Sequence, residues 1–255
     1  MPNCAEPFRC LTFAEREIPN AALEHIIQEG WPRFMLFDPV AALHWTRLYV
    51  YFPQFQFGLY DAADRLAAVG NSAPFVWDGQ PASLSPQGWD WVIQRAVMGY
   101  QDGHPPTALS ALAITVARDY AGQGVSAHAV AAMRCLAARE GLSALVAPLR
   151  PNFKTHYPLI PMERYIAWTT AEGEPFDPWL RIHCRAGARL LGVCPESMTI
   201  PGSVAQWEEW TEMRFPETGA YVVPGALNPV AIDVESDLGV YIEPNVWMQH
   251  ALPAD

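Results

Sequence analysis

The stretch from Ala111 to Glu140, ALAITVARDYAGQGVSAHAVAAMRCLAARE, limits this chain to a small set of folds. Leu109 to Ala117 is a near-continuous run of small and branched apolar residues, the pattern of a strand covered on both faces, so this strand is expected to be central. Gly122 and Gly124 follow almost at once. They allow left-handed backbone and a close approach without a Cβ in the way. Val125, Ala129, Ala132, Met133, Leu136 and Ala137 then recur at helical spacing, with Arg134, Arg139 and Glu140 off that face. A helix that begins at glycines offers free N–H groups and the positive end of its dipole, which suits a phosphate or pyrophosphate.

The chain has 255 residues, of which 51% are hydrophobic and 17% charged, which is enough for a full core in one large domain or two small ones. No apolar run reaches the length of a membrane span, and MPNCAEPFRC lacks the basic-then-apolar pattern of a signal peptide. A net charge of −11 without any basic cluster argues against nucleic acid as partner and suits a cationic substrate. Cys4, Cys10, Cys135, Cys184 and Cys194 form no C-x-x-C pair and read as reduced thiols of a cytoplasmic protein. The histidines and cysteines lack ligand spacing, so no metal is expected.

Read in order, the periodicity predicts helices over Pro19 to Gln28 and Pro39 to Tyr51, and a hairpin turning at Asp61 to Asp64. A helix over Gln87 to Tyr100, the central strand, the glycine turn and its helix, and a strand over Ser143 to Leu149 complete this part. Residues 151–176 are rich in proline and aromatics and read as an insertion. Asp177-Pro178 opens a further helix. Ala188 to Ile200 is a strand, Val204 to Met213 a short helix, and Tyr221–Val223, Val230–Ile232 and Val240–Ile242 are short extended runs. Arg181, Arg185 and Arg189 form a stripe expected to face solvent.

Two readings of the turn need no family. Gly122-x-Gly124-x-x-Ala127 matches the dinucleotide fingerprint, which requires repeated βαβ units and an acidic residue about 20 positions on. Here the next strand ends in Arg150-Pro151-Asn152 instead. The glycines could also serve only helix–strand packing. A third reading starts from Val116-x-x-x-Tyr120-x-Gly122-x-Gly124-Val125, which resembles the acyl-CoA-binding motif of the GCN5-related N-acetyltransferase superfamily. Arg118, Ala121 and Ser126 depart from that motif, and Ala121 removes a side-chain contact. Downstream, His183 and Gly187 align with the family's L-Y-x-x-x-G segment, His183 standing where a tyrosine is usual and Ala188 where a phenylalanine is.

The resemblance implies an α/β (α+β) acyl-CoA N-acyltransferase fold, a mixed central sheet flanked by helices. The core would be about 1–150 and 177–243, the insertion about 151–176, with an extended C-terminus, all in one domain. It implies direct transfer of acetyl from acetyl-CoA, or of another acyl group from its CoA thioester, to a small-molecule or peptide amine. Ile114, Thr115 and Val116 would serve the pantetheine, and Ala121, Gly122, Gln123, Gly124, Val125 and Ser126 the pyrophosphate. His183 would give a proton to the sulfur, since an unperturbed histidine has a pKa of about 6.5. On an apolar helix face it also reads as a hydrogen-bonded core residue. Glu163, Tyr157 and His156 are candidates for a general base, and insertion residues for the roof of the acceptor pocket. A CoA-binding regulatory domain without chemistry and an NAD(P)-dependent oxidoreductase stay open, as does a homodimer.

Overall fold

In the computed structural model, which describes residues 7–253, the two extended runs flanking Asp61 form the expected hairpin. β1 (Arg9–Thr12), β2 (Phe57–Tyr60), β3 (Leu66–Phe75) and β4 (Ala108–Val116) pair antiparallel in sequence order. The Asp61 carboxylate fixes the turn by accepting from the N–H groups of Ala63 and Arg65, each at 2.9 Å.

Between β1 and β2 run α1 (Asn20–Gly30) and α2 (Pro39–Tyr51). α2 starts where Asp38 accepts from the Ala41 N–H at 2.6 Å, with proline in the first turn. α3 (Gly88–Gln101) connects β3 to β4, burying Trp89, Val92, Ile93, Ala96 and Val97. α4 (Val125–Arg139) then carries the chain over the sheet to β5 (Leu145–Leu149), which lies parallel to β4, as a helical crossover requires. The face of α4 expected to be apolar is buried throughout.

In the second half come α5 (Met162–Tyr165), α6 (Pro178–Arg185), β6 (Ala188–Gly202), α7 (Val204–Thr211), β7 (Gly219–Tyr221), β8 (Val230–Asp233) and β9 (Leu238–His250). The sheet order is β1-β2-β3-β4-β5-β9-β8-β7, with β6 paired to β9. The sheet is therefore mixed, and β4 is central. The short run at Val240–Ile242 is in fact the start of a strand of 13 residues that continues past Pro244. Proline cannot donate to a ladder. β6 accommodates it by slipping register between Cys194 and Met198, opposite Asn245 and Glu243.

Residues 151–176 hold little regular structure and are tied down from below. Asp177 is 1% exposed. It caps α6 through the N–H groups of Trp179 and Leu180 and also accepts from the Tyr165 hydroxyl and the Phe153 N–H. The buried Lys154 donates to the carbonyls of Tyr157 and Leu227.

Cys10, Cys184 and Cys194 are free thiols, whereas Cys135 is disulfide-bonded, which corrects the reading of every cysteine as reduced; Cys4 lies outside the described residues. No helix among the described residues is long and apolar enough to cross a membrane.

Candidate active site

The site begins with a fault in the sheet. β4 and β5 pair only at Leu109–Leu145 and Ser110–Val146. Just beyond, the β3–β4 register slips so that Asn71 faces Ala113 while Ser72 faces Ala111, leaving Leu112 as a β-bulge. A bulge bends its strand and increases local twist, and here it turns β4 away from β5. The Leu112 carbonyl is satisfied by the Trp89 indole N–H at 3.0 Å. The strands part into a slot of about 310 Å³, walled by residues 111–116 of β4 and 147–149 of β5 and reaching Ser126. On this side the end of β4 has no partner strand, so its backbone groups are available to a ligand.

α4 begins at the mouth of the slot. Gly122 and Gly124 have φ of 75° and 76°, and a Cβ on either would meet no atom within 4 Å. Glycine is thus required by the left-handed backbone and not by crowding. Gly124 is the N-cap and provides no side-chain hydrogen bond, so the first N–H groups of α4 lack a side-chain cap. Val125 is buried and offers only its backbone, Ser126 lines the slot, and Ala121 and Gln123 lie on the exposed turn. Across the slot, Gly30 closes on β4, where a Cβ would stand 2.5 Å from Thr115 Cγ2. The Trp31 indole donates to Thr115 Oγ1 at 3.3 Å.

The inner end is polar. Glu243 is fully buried and accepts from Arg150 Nε at 2.9 and 3.1 Å, from the Tyr241 hydroxyl at 3.0 Å and from Asn245 at 3.0 Å. Asn245 accepts in turn from the Ser197 hydroxyl, which receives the Trp89 N–H. His183 also faces this slot, beside Trp179. It is 2% exposed, with Nδ1 2.9 Å from His250 Nε2 and with Nε2 unpartnered. Burial, reinforced by His250, depresses its pKa to about 3, so the ring is neutral at physiological pH. It therefore has no second proton to give, which changes the part expected of it.

A second cavity of about 360 Å³ adjoins the slot. The two share Trp31, Trp89, Leu112, Ala113, Thr115 and Met198. Its remaining wall comes chiefly from α2 and the segment before it. Close by, burial lifts the Asp38 carboxyl to about 6. Asp90 is lifted to about 8 by burial and then by the charges of Asp38 and Glu243. An acid whose folded-state pKa lies above its unfolded value of about 3.9 stabilises the protein less as pH rises between the two. Asp90→Asn, which keeps an oxygen for the Thr199 N–H, is accordingly expected to leave the melting temperature unchanged near pH 4 and to raise it progressively towards pH 8. The gain there would be about 1–3 kcal/mol in thermal unfolding followed across pH.

Of the residues expected from sequence, Ile114, Thr115, Val116, Ser126 and His183 line one slot. His156 and Tyr157 instead stack in the aromatic cluster of residues 151–176, with Phe153 and Phe176, and Glu163 is exposed on another groove. Asn152 is the one residue of 151–176 in the slot wall; the opposite walls come from Trp31, Trp89, Glu243 and Asn245. Of the arginine stripe, Arg185 and Arg189 are exposed as expected, pairing at the surface with Glu174 and Gln249, whereas Arg181 is half-buried and donates to the carbonyls of Pro175 and Phe176. Among the described residues β4–α4–β5 is the one parallel unit, so the repetition of a dinucleotide-binding fold is missing.

No family model matches the chain. It is 33% identical over 257 residues to the arginine N-acetyltransferase avaD of Aspergillus versicolor, an alignment covering 90% of this chain and 88% of that protein. The loading GNATL domain of CurA from Lyngbya majuscula superposes with a TM-score of 0.60 at 17% identity, over 96% of this chain and 97% of that one. The GphF GNAT-like decarboxylase, solved in complex with isobutyryl-CoA, superposes with a TM-score of 0.55 at 16% identity, over 96% and 99%. The overall fold described above is thus that of solved GNAT-like domains.

Proposed function

Because the chain belongs to the GCN5-related N-acetyltransferase superfamily, we propose that it transfers acetyl from acetyl-CoA directly to an amine held in the adjoining cavity. The observation that carries this reading is the gap between β4 and β5, opened by the Leu112 bulge and ending at the uncapped first turn of α4. A pantetheine arm fits such a gap as a substitute strand, drawing hydrogen bonds from the backbone of Ile114, Thr115 and Val116. The pyrophosphate meets the N–H groups of Gly122 to Ser126 and the positive end of the helix dipole. Ala121 and Gln123 contribute backbone to the same turn.

The thioester then lies near the region common to slot and cavity. The neutral amine attacks its carbonyl carbon, a C–N bond forms, the C–S bond breaks, and CoA leaves as a thiolate that takes up, through solvent, the proton given up by the new amide nitrogen. His183 supports the departing sulfur with a single hydrogen bond from its neutral ring, since burial denies it the charged form. A lone hydrogen bond of this kind corresponds to about tenfold in rate. His183→Phe is therefore expected to lower kcat about tenfold with little change in KM for acetyl-CoA, measured by thiol release. A loss above a thousandfold would restore a full general-acid role, and unchanged turnover would remove His183 from the mechanism.

The acceptor is read as a cationic amine, in keeping with the net charge of −11 and with the arginine substrate in the name of the 33% identical relative. The deciding experiment offers the intact protein acetyl-CoA with a panel of amines, arginine among them, and follows free thiol and the acetylated product. Acetyl-CoA binding without thiol release from any amine would favour a CoA-binding domain. Tight NAD(P) binding without CoA binding would sink the proposal.

A further inference from the structure

We infer that His250 is a positioning residue: its Nε2–H donates to His183 Nδ1 and so keeps the one proton of the neutral His183 ring on Nε2, the nitrogen left for the slot. This rests on the acetyltransferase reading above and names what prepares His183 for the departing sulfur.

His250 closes β9, paired with Leu145 of β5 on one side and Ala188 of β6 on the other. It is 1% exposed and does not line the slot, so it acts there only through His183. Strand pairing on both sides fixes its backbone. Trp179 packs edge-on against the other ring, with centroids 4.7 Å apart, which holds His183 against its partner.

A separation of 2.9 Å between two ring nitrogens is a hydrogen bond when one carries a proton and the other a lone pair. Burial, and then the charge of Arg134, lowers His250 to about 4, and His183 is neutral as well, so each ring holds one N–H. Two arrangements satisfy this. If His183 donates, the N–H left over sits on His250 Nδ1, which is buried without a hydrogen-bond partner among the described residues. If His250 donates, the N–H left over sits on His183 Nε2, where a ligand in the slot can accept it. Orphaned buried N–H groups are rarer than under-satisfied acceptors, which favours the second arrangement.

The charge beside His250 favours it too. Arg134 of α4 donates to the carbonyls of Ala251 and Ala186. It thereby occupies the Ala186 carbonyl that a His250 N–H would otherwise take, and a cation beside the ring suits a lone pair better than a second N–H. The consequence reaches the chemistry. The proton on a neutral imidazole goes where the partner of its other nitrogen allows, and His183 protonated on Nδ1 would turn only a lone pair towards a thiolate.

Two-bond 1H–15N correlation on the full chain without acetyl-CoA is expected to show both His183 and His250 protonated on Nε2, and His250→Phe should return His183 to a mixture of tautomers. Kinetically, His250→Phe is expected to lower kcat about tenfold with little change in KM for acetyl-CoA, as for His183→Phe. His250→Gln keeps a donor at nearly the same reach and should stay within about twofold of the wild type. In the His183→Phe background, His250→Phe should cost no further kcat, whereas mere damage to the sheet would cost both backgrounds alike. A His183 proton on Nδ1 in the intact protein, unchanged kcat in His250→Phe, or an equal loss in both backgrounds overturns the inference. The spectrum is read without turnover, so failure to transfer acetyl to any amine overturns the acetyltransferase reading, while the tautomers alone then decide what His250 does.

Discussion

Ser126→Glu is expected to raise the melting temperature slightly while weakening acetyl-CoA binding by one to three orders of magnitude. The two effects share one cause. Position 126 is in the first turn of α4, whose N-cap Gly124 leaves its N–H groups without a side-chain cap. A carboxylate there supplies the negative charge that the helix terminus lacks, worth about 0.3–1 kcal/mol. It also stands where the pyrophosphate must come, since Ser126 lines the slot. Two unit charges 4 Å apart repel by about 1 kcal/mol in water and about 4 kcal/mol near a protein surface, and the intermediate range gives the expected loss. Calorimetric titration with CoA and thermal unfolding of the same sample read both quantities. A more stable variant that binds acetyl-CoA as well as the wild type would place the pyrophosphate elsewhere.

The second large effect concerns Glu243. Glu243→Ala removes the carboxylate paired with Arg150, whose side chain is 15% exposed, and orphans donors from Tyr241 and Asn245 as well. Breaking a buried pair from one side costs about 3–5 kcal/mol, because the remaining charge stays buried without its partner. For a chain of this size each kcal/mol corresponds to about 2–4 °C, so the melting temperature should fall by about 6–20 °C. Replacing both partners with apolar residues of similar volume, Arg150→Met with Glu243→Leu, is expected to recover most of the loss. A double-mutant cycle in thermal unfolding measures this. If the double variant is no more stable than the single one, the pair is not coupled in the way its geometry implies.

Much of the scaffold was legible because it rests on local signals. Pro39 in a first turn and the Asp177-Pro178 cap announce helices, and Asp177 forms the cap expected of it, while Asp38 turns out to cap α2. The apolar run of β4 and the helical spacing of α4 mark a central strand and its covering helix, and the glycine turn has the left-handed backbone it was read to need. What escaped was long-range. Nothing near Val240 says that β9 will run to His250, because Pro244 reads as a terminator until the register slip in β6 is seen to absorb it. For the same reason Glu243 and Asn245 could not be connected with Arg150, and Trp31 and Trp89 looked like two tryptophans among 10. His183 was found as a position, but its protonation depends on burial and on His250, which sequence spacing does not reveal.

The placement of β9 also bears on how the protein is made. The final strand described lies inside the sheet, pairing Leu145 with His250 and Leu149 with Val246 across roughly a hundred residues of intervening chain. Contacts of such sequence separation form late, since the entropy of closing the loop is lost before they return anything. During synthesis β1 to β5 can emerge and pair while one edge of β5 is still waiting for its neighbour. Until residues 238–250 arrive, that open edge and the apolar strands beside it are a nascent-chain liability of the kind chaperones shield. The slot acquires Glu243 and Asn245 in the same event, so closing the sheet and completing the site are one step of folding.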